Sequence, residues 1–340
     1  MTTSTQWHLV RRPHGEPVDA DFALVQAELD APGDGQLLVR NTFLSVDPYM
    51  RGRMNDAKSY VPPFELDQPM TGDAVGVVEA VGGTVSDATG AAVQVGDTVV
   101  HPYGWRTHAL VEGRHTRVVD TELASPSAYL GVMGMTGRTA YAGLVRTAEL
   151  KEGDRVFVSA AAGAVGSLVG QIARLKGASL VVGSAGGPEK VQWAVDEAGF
   201  DRVVDYKAQP IAAGLKEAAP EGIDVYFDNV GGDHLEAALS SLRLHGRVAL
   251  CGAISAYNAT EPVPGPSNLF QAIGKRLTLR GFLVSDHEDL RPEFEQEMAG
   301  WLADGRIAWR ETAVEGIESA VEGFRSLLAG GNTGKMVVRL

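Results

Sequence analysis

Cysteine is almost absent: Cys251 is the single thiol among 340 residues. One thiol forms neither an internal disulfide nor a paired-cysteine zinc site, so a reducing compartment is implied and a cytoplasmic location expected. An excess of positive charge is also missing, since 30 Lys and Arg against 43 Asp and Glu leave a net charge of −13. A chain of that sign repels phosphate backbones and anionic lipid, so neither a nucleic-acid partner nor a membrane surface is expected. The uncharged run Val156 to Ala173 is rich in Ala, Gly and Ser and has a glycine turn in its middle. It is therefore a poor membrane span. The opening MTTSTQWHLVRRP lacks a basic head followed by an apolar run, and no signal peptide is read there. What remains, 44% hydrophobic and 21% charged, is ordinary for a globular protein, and 340 residues suffice for two domains.

The chain changes rhythm along its length. Up to about Ser125 it reads as short strands separated by turns: QLLVRNTFLSVD, then the glycine-bounded runs Asp73–Gly83 and Val93–His101. From Asp154 strands and helices alternate. RVFVSA, SLVVGS, DRVVDY, GIDVYFDNV, GRVALCG and RLTLRGFLV read as strands. VGSLVGQIARLKG, GPEKVQWAVDEAG and DHLEAALSSLRLHG read as helices. Repeated βα units predict a doubly wound parallel sheet with helices on both faces. In GIESAVEGFRSLLAGG, residues Ile317, Val321, Phe324 and Leu328 mark an apolar helix face. The final KMVVRL is a strand that the βα array does not need, and it is expected to return to the first module.

The segment SAAAGAVG, Ser159 to Gly166, follows a strand and opens a helix. That is the context of a dinucleotide-binding turn, in which Gly163 lets backbone approach a pyrophosphate and Gly166 lets helix pack on strand. The first glycine of the fingerprint is alanine here, so the pattern reads AxxGxxG. About 20 residues on, an Asp or Glu would hold the ribose hydroxyls of NAD. Gly183 and Ser184 occupy that place, with Lys190 shortly after. A missing acid removes repulsion, Gly183 and Ser184 leave room, and Lys190 brings a cation. All three favour the 2′-phosphate of NADP(H).

Several stretches together resemble a known family: SAAAGAVGSLVGQIARLKGA, GSAGGPEK, YFDNVGG, CGAISAYNAT and VDPYMRGRM. They are similar to the zinc-independent medium-chain dehydrogenase/reductases, in the NADPH-dependent alkenal/one double-bond reductase group that includes prostaglandin, leukotriene B4 and bacterial curcumin reductases. The likeness runs from about TFLSVDPYM to GNTGKMVV. It implies a GroES-like β-domain over residues 1–126 and 308–340, with a Rossmann domain, 127–307, inserted into it. It further implies that Ala162, Gly163, Ala164, Val165 and Gly166 hold the pyrophosphate, and that Ser184, Lys190 and Tyr206 surround the 2′-phosphate. Asn229 would lie along the cofactor, Cys251, Gly252, Ala253, Ile254, Ser255 and Tyr257 would line it, the strand Phe282, Leu283 and Val284 would reach the nicotinamide, and Asn332 would close over it. A homodimer through the Rossmann sheet edge is also implied.

Zinc-dependent relatives carry a His-Glu pair where this chain has Gly72 and Asp73, and a Cys ligand near Asp47. His101, His108 and His115 are spaced too widely for local chelation, so no metal is expected. The resemblance therefore implies hydride transfer to the β-carbon of an enal or enone, with a donor to stabilise the enolate. Tyr49 and Tyr60 are the catalytic candidates. The position of a tyrosine found in plant and animal members aligns with Gly274, which favours the bacterial branch. A quinone substrate, or a non-catalytic NADPH-binding role, remains as an alternative.

Overall fold

The computed structural model describes all 340 residues. The chain forms two compact units, Met1–Gly131 with Glu311–Leu340, and Val132–Arg310.

In the first unit β1 (Thr2–Leu9) pairs antiparallel with β2 (Phe22–Leu29). A second sheet contains β3 (Gln36–Ser45), β4 (Ala74–Val81), β5 (Thr98–His101), β6 (His108–Glu112) and β7 (Arg117–Val118), with a short helix α1 (Tyr49–Arg53) after β3. One cluster buries Leu37, Val39, Val78, Val99 and Val111. A second gathers Met50, Met54, Trp105, Phe324 and Met336. Each such side chain contributes roughly 1.5–3 kcal/mol of burial.

The second unit is a six-stranded parallel sheet. Its strands are β8 (Arg155–Val158), β9 (Leu180–Ala185), β10 (Arg202–Asp205), β11 (Ile223–Asp228), β12 (Leu242–Leu250) and β13 (Thr278–Gly281). Their order is β10-β9-β8-β11-β12-β13, so the winding direction reverses between β8 and β11. In doubly wound sheets that reversal point is where ligands bind. The helices are α2 (Met135–Ala142), α3 (Ala164–Leu175), α4 (Pro188–Asp196), α5 (Ile211–Ala218), α6 (Gly232–Ser241), α7 (Gln271–Lys275) and α8 (Arg291–Ala303). Val156, Phe157, Val158, Val181 and Val182 have no exposure, as expected of strands covered on both faces. The uncharged run Val156–Ala173 divides into β8, a turn and α3, and no helix is long and apolar enough to cross a membrane.

The chain then returns to the first unit with β14 (Glu311–Glu315), α9 (Ala320–Leu328) and β15 (Lys335–Arg339). The last strand lies antiparallel to β3, Val337 opposite Ser45, as its surplus to the βα array suggests. Ile317, Val321 and Phe324 are buried at and before α9.

Of the run Val93–His101 only Thr98–His101 is a strand, and two elements of the second unit also differ from the sequence reading. SLRLHG is not the end of a helix: α6 stops at Ser241, because Leu242 pairs with Ile223 and buries its side chain in the sheet core. The run RLTLRGFLV is a strand only over Thr278–Gly281. Arg276 adopts a left-handed conformation before it, and Val284 opens a 3₁₀ helix after it, so Phe282, Leu283 and Val284 lie beyond the strand.

Candidate active site

The glycine turn joins β8 to α3. Ala161 N–H donates to Ser184 O at 2.8 Å and Gly163 N–H to Ala160 O at 2.9 Å, which folds the turn back on itself. Ala160 has φ +53°, the left-handed region that glycine adopts most readily. A Cβ on Gly166 would stand 2.2 Å from Ala160 O, so only glycine fits. Gly163 caps α3, and the helix bonds begin with Ser167 N–H to Gly163 O at 3.1 Å. The amides of Ala164, Val165 and Gly166 thus have no carbonyl in the helix, and with the helix dipole they form a ready anion site.

The far edge of this end of the sheet is organised by Asp205. Its Oδ1 accepts from Gly187 N–H at 3.0 Å and from Lys207 N–H at 2.9 Å, drawing the start of α4 to the end of β10. Lys190, half-buried in the first turn of α4, has its pKa lowered by burial and then by the charge of Lys207. Two ammonium groups therefore share one neighbourhood. Tyr206 packs edge-on against His234 at 5.3 Å, and burial followed by the Asp205 charge raises its phenol pKa. A Cβ on Gly186 would stand 2.6 Å from the Tyr206 hydroxyl. Ser184 is fully buried, with no hydrogen-bond partner for its Oγ. Gly183 does not clear space for a ligand as the sequence suggests, since a Cβ there would meet Ala161 Cβ at 2.5 Å and the Phe200 ring at 2.9 Å. It is required by packing. Lys207 escaped the sequence reading, although its place directly after Tyr206 was a usable signal.

At the end of β11, buried Asp228 holds the next loop. Its Oδ1 accepts from Tyr226 OH at 2.7 Å and from the amides of Val230 and Gly231 at 3.0 and 2.8 Å. Asn229 donates through Nδ2 to Ser159 O at 2.8 Å, and its amide donates to Ser159 Oγ at 2.9 Å, tying this loop to the glycine turn. The Cys251–Tyr257 segment is bound to the same loop: Cys251 and Gly252 amides reach Asp228 O, Ile254 N–H reaches Asn229 O, and Ser255 Oγ donates to Val230 O at 2.6 Å. Ala253 lies exposed between them, and the Tyr257 hydroxyl turns back to the Ala253 amide at 3.5 Å. Burial and then Asp228 push the Cys251 thiol up to about 12, so it stays protonated and inert as a nucleophile. Phe282 packs edge-on against Phe227 at 6.0 Å. In the first unit, the buried Asn332 amide donates to Gly334 O at 2.7 Å and is committed to its own turn.

The tyrosine candidates lie in the first unit. Tyr49 opens the short helix α1. Just before it, Asp47 accepts a short hydrogen bond from Ser45 Oγ and pairs with Lys335 Nζ at 3.2 Å, both side chains at 5% exposure or less. Lys335 also donates to Val46 O and Met336 O at 2.8 Å, so its ammonium is satisfied and the chain entering α1 is pinned to β15. Burial, then the charges of Asp47 and Asp73, raise the Tyr49 phenol well above its usual range, while the charge of Arg53 opposes the shift. A phenol held protonated is a hydrogen-bond donor at any physiological pH. Tyr60 is 64% exposed, yet its charge is felt at both Tyr49 and Arg53, so the two candidates are neighbours.

The histidines do not converge. His101 is buried, with Nε2 at 2.8 Å from Asn41 Oδ1 and Nδ1 accepting from Tyr103 N–H at 3.2 Å. His108 faces Glu79 at 3.7 Å, and His115 reaches only the Tyr103 hydroxyl at 3.5 Å. No group of three or more His, Cys, Asp or Glu side chains is arranged to hold a metal.

Residues 5–119 match the model of an oxidoreductase N-terminal domain, and residues 164–303 that of a zinc-binding dehydrogenase. The chain is 44% identical to a putative NADP-dependent oxidoreductase of Bacillus subtilis, covering 100% of this chain and 99% of the relative. It is 41% identical to the NADPH-dependent curcumin reductase of Escherichia coli, over 98% and 96%. It is 40% identical to an NADP(+)-dependent 2-alkenal reductase of Nicotiana tabacum, over 95% and 94%. Among solved structures, CurA of Vibrio vulnificus in complex with NADPH superposes with a TM-score of 0.91 at 44% identity, covering 98% of both chains. With its glycine turn at the reversal of a parallel sheet and whole-length identity to these enzymes, the chain belongs to the NADPH-dependent medium-chain dehydrogenase/reductases, in the group of the curcumin and 2-alkenal reductases.

Proposed function

We propose that this protein uses NADPH to reduce the C=C bond of α,β-unsaturated aldehydes and ketones. The observation that carries the reading is identity of 40–41% over at least 94% of each chain to enzymes named for curcumin and 2-alkenal reduction.

The residues fit the cofactor. Gly166 makes a cradle that a Cβ would fill, and the free amides from Ala164 to Gly166 suit a pyrophosphate. Lys190, with Lys207, Tyr206 and the unpartnered Ser184 hydroxyl, would take the 2′-phosphate. Asn229, the Cys251–Tyr257 segment and Phe282–Val284 would line the remainder, with Asn332 assigned by resemblance alone. When bound, NADPH supplies a hydride to the β-carbon of the substrate. The chain's own part is to hold the enolate oxygen that then develops and to deliver a proton to the α-carbon. Tyr49, protonated and braced by Arg53, is proposed as the donor to that oxygen, and Tyr60 as its partner. The edge strand β13, with exposed Val263, Leu269, Phe270 and Ile273 before it, supports a homodimer, which sedimentation at twice the chain mass would confirm. A cytoplasmic location completes the reading.

The test is stopped-flow oxidation of NADPH and of NADH with a 2-alkenal and, in parallel, a quinone. Wild type should consume NADPH with the alkenal faster than with the quinone. Lys190→Ala should weaken NADPH by roughly one to two decades and spare NADH. No oxidation with any enal or enone sinks the activity; equal losses for both coenzymes sink the role of Lys190.

A further inference from the structure

A cavity of about 330 Å³ lies wholly within the first unit, walled by Pro62, Phe64 and Pro69 and carrying Arg53, Tyr103 and Arg106. Two guanidinium groups in one cavity are notable in a chain of net charge −13. Some arginines elsewhere pair with acids, as Arg11 does with Asp21 and Arg247 with Asp154. Arg53 and Arg106 instead bond to neutral groups. Arg106 donates to Gly104 O at 3.1 Å and Met70 O at 2.9 Å. Arg53 donates to Pro62 O and Thr71 Oγ1 at 2.9 Å, and its guanidinium lies 4.1 Å from the Phe64 ring centroid.

A guanidinium has five N–H donors in a planar fork, so two carbonyls leave Arg106 with donors to spare. Burial disfavours its charge strongly enough to lower its pKa to about 10, the cost of a desolvated cation with no anion beside it. The only acid on the cavity wall, Glu65, is exposed. Pre-oriented cations without a carboxylate of their own, beside apolar proline and phenylalanine walls, form a receptor for a carboxylate on an aliphatic stem. Arg53 is also close enough to Tyr49 for its charge to act on the phenol. The cavity therefore adjoins the proposed donor, which makes the anion one end of the substrate and not a separate ligand.

We propose that this cavity binds a carboxylate carried by the enone, so that the enzyme selects enones with an anionic tail over neutral ones. The proposal rests on the enone-reductase reading for its substrate, and its test separates the two. Calorimetry with a saturated ω-carboxyalkyl ketone and its methyl ester requires no turnover. Wild type should bind the acid about tenfold or more tightly than the ester, an advantage that shrinks as salt screens the charge. Arg106→Gln should bring the acid/ester ratio toward one. Glu65→Gln, which alters only an exposed side chain, should raise the ratio and keeps the test alive if the arginine variant misfolds. Hexanoate should compete with the acid. Equal affinity for acid and ester in wild type, a ratio unmoved by both substitutions, or hexanoate binding that leaves acid binding untouched would each overturn the proposal. Failure to oxidise NADPH with 2-alkenals would instead overturn the enone reading.

Discussion

The glycine turn and the Tyr60 segment are built on opposite plans. In the turn, Ser159–Gly166, backbone carries most of the constraints: Ala161 N–H to Ser184 O, Gly163 N–H to Ala160 O, Ser159 O accepting from Asn229, and a glycine where no Cβ fits. The Tyr60 segment is held by bonds near its ends. Arg12 donates to Met54 O at 3.1 Å and Phe64 O at 3.3 Å, and Phe64 N–H donates to Arg53 O at 2.7 Å. Between those anchors Asn55–Tyr60 is exposed throughout. A phosphate site gains from rigidity, since amides already aligned lose no entropy on binding. A site that must admit varied carbonyl compounds gains from a wall that can adjust, and few buried contacts are the physical basis of such freedom.

Gly166→Ala strikes the rigid side hardest. Its Cβ would collide with a backbone carbonyl that cannot step aside, so a loss on the order of 3 kcal/mol or more is expected in urea unfolding, with NADPH affinity falling in step. An unchanged midpoint would mean the turn is as adjustable as the Tyr60 segment, and the contrast would fail.

The tyrosines sharpen the other side. Tyr49→Phe should lower kcat on a 2-alkenal by about 100-fold with little change in KM, because a preorganised donor acts in the transition state. Tyr60→Phe, at an exposed position, should cost about tenfold or less. Equal rates for both variants and wild type would reduce the rings to packing. Because burial raises the Tyr49 phenol above its ordinary 10, the protonated donor persists as pH rises, and the wild-type rate should show no tyrosine-linked fall up to pH 10.

The smallest effect is a gain. Ala160→Gly relieves a left-handed alanine and should stabilise the second unit by about 1 kcal/mol, read as a higher urea midpoint. A loss would show that the surroundings impose no strain at this position.

Much of the fold was legible locally. The βα alternation, the glycine turn, the apolar face of α9 and the surplus last strand all follow from patterns a few residues long. The misreadings share a cause. SLRLHG has helix-compatible residues, but a distant strand, β11, claims Leu242. Gly183 reads as space for a phosphate only until Phe200 is seen against it.

The sequence alone determined the doubly wound sheet and the glycine turn that opens α3, because periodicity and chain-local turns are encoded within one stretch of chain. Only the tertiary structure decided which charges meet: Lys335 with Asp47 beneath Tyr49, Lys207 beside Lys190, and Arg53 with Arg106 around one cavity. Those encounters depend on segments far apart in the chain, and no local pattern records a pairing that only folding creates.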